Sequence, residues 1–208
     1  GYFSADFREH PVSRLIAEVF ELHDTERFEI FAFSFGPDIQ DEMQARISRG
    51  FDEFIDVRMM SDKDVARLSR EKGIDIAVDL TGFSTHGRTG IFCYRTAPAQ
   101  INYLGYPGTM SAPYMDYIIG DTTVIAAEDT SHYSEVVVYL PYCYQPNDNK
   151  RQISARVFSR QELGLPEVGF VFCCFNNSYK ITPQMFTVWM QLLQNVDGSV
   201  LWLMGGNQ

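Results

Sequence analysis

Short apolar runs rich in aromatic and β-branched residues recur along the chain, and in its first half stretches with apolar positions at helical spacing separate them. That alternation predicts an α/β fold, a parallel sheet with crossover helices. The predicted strands are Tyr2 to Phe3, Phe28 to Phe35, Phe51 to Val57, Ile74 to Leu80, Gln100 to Leu104, Tyr117 to Ile119 and Glu135 to Leu140. Helices are expected near Pro11 to Leu22, Asp38 to Ser48 and Asp62 to Lys72. Ser61, Asp62 and Asp64 supply N-cap chemistry for the third of these, and Gly73 closes it.

From Pro141 to Gly169 the texture changes to proline, asparagine and charge, which reads as the crossing between two domains. After it, GFVFCCF reads as a fully buried strand, TPQMFTVWMQLLQNV as an amphipathic helix starting at Thr182 or Pro183, and SVLWLMG as the next strand. This is the first β-α-β unit of a second Rossmann-like domain. One such unit cannot cover both faces of a parallel sheet, so the second domain reads as truncated. The expected division is residues 1–150 for the first domain and residues 151–208 for the linker and the start of the second.

Composition narrows the function classes. With 45% hydrophobic and 21% charged residues in 208, the chain has the makeup of a globular protein with a real core. Its net charge of −10, from 27 acidic against 17 basic residues and with no basic run, argues against nucleic acid as a partner. No apolar stretch approaches the roughly 20 residues that span a bilayer, so no membrane anchor is expected. The four cysteines show no CxxC spacing, and adjacent Cys173 and Cys174 should point to opposite faces of a strand. Reduced thiols in a cytoplasmic protein are the expectation. The chain opens at Gly1, directly in strand-like GYFSADF, which leaves room for an upstream segment or signal.

Neither a GxGxxG loop nor a Walker lysine loop is present, which weighs against dinucleotide and P-loop enzymes. The triplet Asp62, Lys63, Asp64 could hold a metal on a sugar-nucleotide diphosphate, but at a helix start it reads as capping. No His and Cys cluster has zinc spacing. Three segments fall at predicted strand ends, the edge where ligands gather in doubly wound sheets. Leu104, Gly105, Tyr106, Pro107, Gly108 and Thr109 form a glycine-rich turn that lets a substrate approach the backbone. His10, between the first strand and the first helix, should be accessible, titrate near neutrality and be able to meet an acceptor hydroxyl, or it merely decorates the helix terminus. Asn177, Tyr179 and Lys180 follow the first strand of the second domain, where amides and an ammonium could meet phosphate charge, or Lys180 is simply an exposed surface lysine.

The strings GYFSADFREHP, DIAVDLTGF, RTAPAQINYLGYPGTMSAPYMDYIIGD, HYSEVVVYLPYCYQPND and FVFCCFNNSYKITPQMFTVWMQLLQNVDGSVLWL resemble consecutive blocks of the O-linked N-acetylglucosamine transferase catalytic region, glycosyltransferase family 41. They are most similar to its bacterial members. The resemblance covers nearly the whole chain. It implies a GT-B architecture of two Rossmann-like doubly wound domains, here with the second truncated, and tetratricopeptide repeats upstream. It implies a metal-independent, cofactor-free, inverting transfer of N-acetylglucosamine from UDP-GlcNAc to Ser or Thr hydroxyls of a protein acceptor. By the same resemblance His10 matches the acceptor-side histidine, and Leu104, Gly105, Pro107 and Thr109 match the loop beside the sugar. Asn177 stands where the animal enzyme has glutamine, and Tyr179 and Lys180 match the tyrosine and lysine at the donor phosphates. His10 and Lys180 are thus the catalytic candidates, and His10, Gly105 and Lys180 are expected to line one cleft.

Two departures bear on acceptor specificity. Asp75 stands where the animal proteins carry histidine in GIHILVN, and a GYTKGAR-like loop is here GFSTHGR, which introduces His86 as a polar loop residue or an acceptor contact. Whether His10 removes a proton or only positions a hydroxyl is left open by the sequence. So is transfer of another sugar, such as fucose from GDP-fucose, and so is a non-catalytic binding module, although intact His10, LGYPGT and Lys180 weigh against decay. Residues 1–208 alone are expected to transfer no sugar.

Overall fold

The computed structural model describes residues 1–205, and these fall into two compact units that divide between Arg151 and Gln152. The first unit is a seven-stranded sheet made of β1 (Tyr2–Ser4), β2 (Phe31–Ser34), β3 (Glu53–Asp56), β4 (Ile76–Asp79), β5 (Ala99–Asn102), β6 (Tyr117–Gly120) and β7 (Val136–Tyr139). Its order is β3-β2-β1-β4-β5-β6-β7, and every adjacent pair is parallel. Chain order reverses between β1 and β4, the switch point at which doubly wound sheets open a crevice beyond their carboxyl ends.

Helices α1 (Pro11–Glu21) and α2 (Glu42–Ser48) cover one face, and α3 (Asp62–Glu71) with the short α4 (Gly90–Cys93) covers the other. The α1 face buries Ile16, Ala17 and Phe20 against Ala32, Val78 and Leu80. On the opposite face Val65, Ile91 and Phe92 pack on Phe3, Phe33 and Ala77, with the Phe3 and Phe33 rings stacked 4.4 Å apart. Each fully buried side chain of this size stabilises by roughly 1.5–3 kcal/mol. The apolar runs that feed both faces, separated by helices, are the pattern read from the sequence.

Boundaries differ from the expectation where local chemistry intervenes. The second strand starts at Phe31 rather than Phe28, because the Phe28 amide is turned back to the Asp24 carbonyl at 2.9 Å. The second helix starts at Glu42 rather than Asp38, because Asp41 caps it by accepting from the Gln44 amide at 2.8 Å. The proline-rich segment expected to cross between domains belongs in its first half to the first unit. Asp148 pairs with Arg46 at 2.5 Å, the Asn149 amide donates to Glu18 at 2.6 Å, and the Tyr103 hydroxyl donates to the Tyr144 carbonyl at 2.7 Å.

In the second unit, β8 (Val171–Cys174) and β9 (Val200–Leu203) form a parallel pair joined by α5 (Pro183–Asn195), which Thr182 caps through the Met185 amide. This is the predicted β-α-β unit. The expectation that β8 is fully buried is corrected: Phe172 is half-buried and Cys173 exposed, since among the described residues α5 covers only one face of the pair.

Candidate functional site

The β1 exit carries Ala5 to His10, the β4 exit Leu80 to Arg88, and the β5 exit Tyr103 to Thr109, so the switch point brings three loops together. They enclose a cavity of about 180 Å³ whose walls include Asp6, Arg8, His10, Ser84, His86 and Gly105. Two positions suggested by the sequence, His10 and Gly105, therefore share one concavity with His86. Sequence reasoning does not single out Asp6, Arg8 or Ser84, although Asp6 and Arg8 belong to the segment that carries His10.

His10 is the N-cap of α1, and its Nδ1 accepts from the Val12 amide at 3.3 Å. With Nδ1 used as acceptor, the neutral ring carries its proton on Nε2. The Asp6 carboxylate lies 3.6 Å from the same Nδ1. Burial is the largest influence on the ring and holds its pKa below the usual histidine value, opposed by Asp6 and reinforced by Arg8. The accessible, near-neutral histidine expected from sequence is thus corrected to a partly buried ring biased toward the neutral form. It caps the helix and lines the cavity at once.

The LGYPGT loop divides its labour. Leu104 adopts a left-handed φ of 69° and turns its side chain into the core, while Gly105 lines the cavity. A Cβ on Gly105 would stand 1.9 Å from the Leu80 carbonyl oxygen, so only glycine lets the β4 and β5 exits run this close. Pro107 is exposed. The Thr109 hydroxyl donates to Glu135 Oε2 at 2.7 Å, and the Met110 amide donates to the other oxygen of that carboxylate at 2.6 Å. Thr109 anchors its loop to the segment before β7.

His86 holds a left-handed φ of 66°, a conformation that histidine adopts more readily than most side chains. Two residues on, Arg88 is the keystone of the loop: it donates to Asp62 at 2.5 Å, to the Met60 carbonyl at 2.7 Å and to the Val57 carbonyl at 3.1 Å. The Asp62 carboxylate is thereby engaged, and Asp64 meets Ser61 at 2.6 Å and Arg67 at 3.0 Å, which fits the capping reading of the DxD triplet. Among the described residues no three His, Cys, Asp or Glu side chains converge as a metal site. Replacing Arg88 by Ala strips a partly buried carboxylate and two carbonyls of their donors and is expected to cost about 2–4 kcal/mol of stability, read by denaturant unfolding.

In the second unit, Asn177 precedes a 3-10 turn, Ser178–Lys180, at the carboxyl end of β8. Asn177, Tyr179 and Lys180 are all exposed, and the Lys180 amide donates to the Asn177 carbonyl at 3.0 Å. The turn exposes a phenol and an ammonium. No helix among the described residues is long and apolar enough to cross a membrane.

A parallel α/β unit with a cavity at its switch point, followed by a second β-α-β unit with a lysine at its strand end, defines a Rossmann-like α/β architecture. The family model for Glycosyl transferase family 41 matches residues 1–156 and 147–206, and the chain belongs to that family. It is 36% identical over 209 residues to the probable UDP-N-acetylglucosamine--peptide N-acetylglucosaminyltransferase SEC of Arabidopsis thaliana, covering 98% of this chain and 21% of that protein. It is 28% identical over 155 residues to the UDP-N-acetylglucosamine--peptide N-acetylglucosaminyltransferase of Caenorhabditis elegans, covering 74% of this chain and 13% of that one. Among solved structures, a mutant O-GlcNAc transferase of Thermobaculum terrenum superposes with a TM-score of 0.84 at 29% identity, covering 98% of this chain and 38% of that one. The chain thus spans a minor part of the length of the relatives it matches.

Proposed function

We propose that this chain is part of a protein O-glycosyltransferase that moves N-acetylglucosamine from UDP-GlcNAc to Ser or Thr hydroxyls of a protein acceptor, inverting the anomeric carbon and using no metal. The observation that carries the reading is the cavity at the β1–β4 switch point, walled by His10 and Gly105, in a chain of glycosyltransferase family 41. Inverting displacement needs an acceptor hydroxyl on one side of the anomeric carbon and stabilisation of the leaving diphosphate on the other.

His10 serves the first need. Because its Nδ1 accepts from Val12, the neutral ring offers an Nε2–H, which donates to the hydroxyl oxygen and orients it. In that tautomer His10 positions the acceptor, and the hydroxyl proton passes to a phosphate oxygen of the departing UDP as the new glycosidic bond forms and the old one breaks. Gly105 leaves backbone open to the sugar, with Leu104, Pro107 and Thr109 shaping the loop around it. Lys180 serves the second need as a compact charge beside the departing phosphate, with Asn177 and Tyr179 as further donor contacts. Exposed thiols at Cys93 and Cys143 support a reducing, cytoplasmic setting.

The test is transfer of labelled sugar from UDP-GlcNAc to a Ser-containing peptide by the full-length protein, with and without EDTA, with GDP-fucose as a parallel donor. A β-linked GlcNAc product that forms undiminished in EDTA is expected. Fucose transfer alone would replace the donor assignment, and no transfer from either would leave a binding module.

A further inference from the structure

Asp79 closes β4 and is 2% exposed, yet it is not among the residues that wall the cavity. Its Oδ1 accepts from the amides of Thr81 at 2.9 Å and Gly82 at 3.0 Å. Thr81, equally buried, accepts the Ala5 amide on its Oγ1 at 3.1 Å, and its carbonyl accepts from the Ser84 hydroxyl at 2.8 Å. Ala5 directly precedes Asp6, so one short chain of bonds runs from the β4 exit to the wall bearing Asp6 and His10, and another to the wall bearing Ser84. On its other side Asp79 is the register partner of Asn102, whose Nδ2 donates to the carbonyls of Tyr106 at 2.9 Å and Gly108 at 3.1 Å. Asn102 Oδ1 is buried and has no partner, in the row Phe3, Asp79, Asn102 that the register lines up beneath the three loops.

An ionised carboxyl is costly here, because among the described residues no cation offsets its burial. Burial pushes its pKa up to about 6, against the pull of the Thr81 and Gly82 amides. An apolar residue in its place would instead leave two buried amides without acceptors. We infer that Asp79 is a positioning residue of this site, the side chain that fixes the loop after β4 against the loops after β1 and β5 and so sets the spacing of His10, Ser84 and Gly105 around the cavity. The inference rests on the reading of that cavity as the acceptor side of a sugar transferase.

The experiment uses the full-length protein with Asp79→Ala, Asp79→Asn and Thr81→Val, reading kcat, KM for the Ser-containing peptide, UDP affinity, and hydrogen exchange of the segments around Ala5 and Thr81. Asp79→Ala is expected to raise peptide KM about tenfold or more and to lower kcat, to leave UDP affinity within about twofold, and to speed exchange in both segments. Asp79→Asn keeps the acceptor oxygen and should restore peptide KM to within about threefold of wild type. Unchanged peptide KM and kcat in Asp79→Ala, equal loss of UDP and peptide binding, or failure of a folded Asp79→Asn to rescue each overturns the inference. Should Asp79→Ala not fold, Thr81→Val decides, since it removes only the acceptor of the Ala5 amide: a raised peptide KM supports the positioning chain and an unchanged one sinks it. A wild type that transfers no sugar, while exchange responds as described, upholds the structural link and overturns the functional reading instead.

Discussion

Replacing Lys180 by Ala in the full-length protein is expected to lower turnover about 10²- to 10³-fold, as removal of one electrostatic contact to developing charge costs roughly 3–4 kcal/mol. UDP affinity should fall far less. The ground-state diphosphate already carries its charge, and the ammonium gains most as the glycosidic bond breaks and a further negative charge gathers on the leaving group. Lys180 ends an exposed 3-10 turn after β8, so its truncation removes no core contact and the thermal melt should be unchanged. Lys180→Arg should recover little, because a planar guanidinium cannot take the place of a compact charge without moving the phosphate. The measurement is kcat, KM and UDP affinity for both variants beside wild type. Near-normal turnover in a well-folded Lys180→Ala would make this an ordinary surface lysine and remove the leaving-group stabiliser from the mechanism.

The sheet was legible because each strand of the first unit carries an apolar or aromatic run that the helices interrupt at helical spacing. Strand ends were less so. Phe28 and Ile30 look like strand residues, but a turn bond to Asp24 draws Phe28 away, and Ile30 gives its amide to the Asp52 carboxylate, so the strand begins at Phe31. The four-residue α4 is too short to show any periodicity. His10 and Gly105 were legible because the sequence puts both at strand ends, and strand order then brings them together at the switch point. The Thr109 contact was not, since its partner Glu135 is 26 residues away and only the β6-to-β7 crossing carries it back. Asp79 was the least visible: in IDIAVDL it is one acid in an apolar strand, and its burial, its bonds and its neighbour Asn102 come from the register of β4 with β5.

That buried carboxyl predicts an unusual pH dependence for Asp79→Asn. Its folded pKa is raised from 3.8 to about 6, so the native state binds this proton more tightly than the unfolded chain does. The sign follows: the stabilising contribution is fully present below about pH 4, declines as pH rises through about 6, and is gone above that. At about 1.4 kcal/mol for each pKa unit, the span amounts to roughly 3 kcal/mol. In the variant no proton binds or leaves at this position, and the amide keeps an oxygen for the Thr81 and Gly82 amides. Carboxylates such as Asp148 and Glu21, held below their usual values first by bonds to Arg46, favour the fold as pH rises in wild type and variant alike, so they cancel in the difference. Stability of Asp79→Asn minus that of wild type should therefore climb by about 2–3 kcal/mol between pH 4 and pH 7. Hydrogen exchange of the β1 and β4 amides at matched pH values measures that difference locally. A difference that stays flat with pH would mean that Asp79 is ionised at its ordinary pKa, its charge met by a donor these contacts do not include.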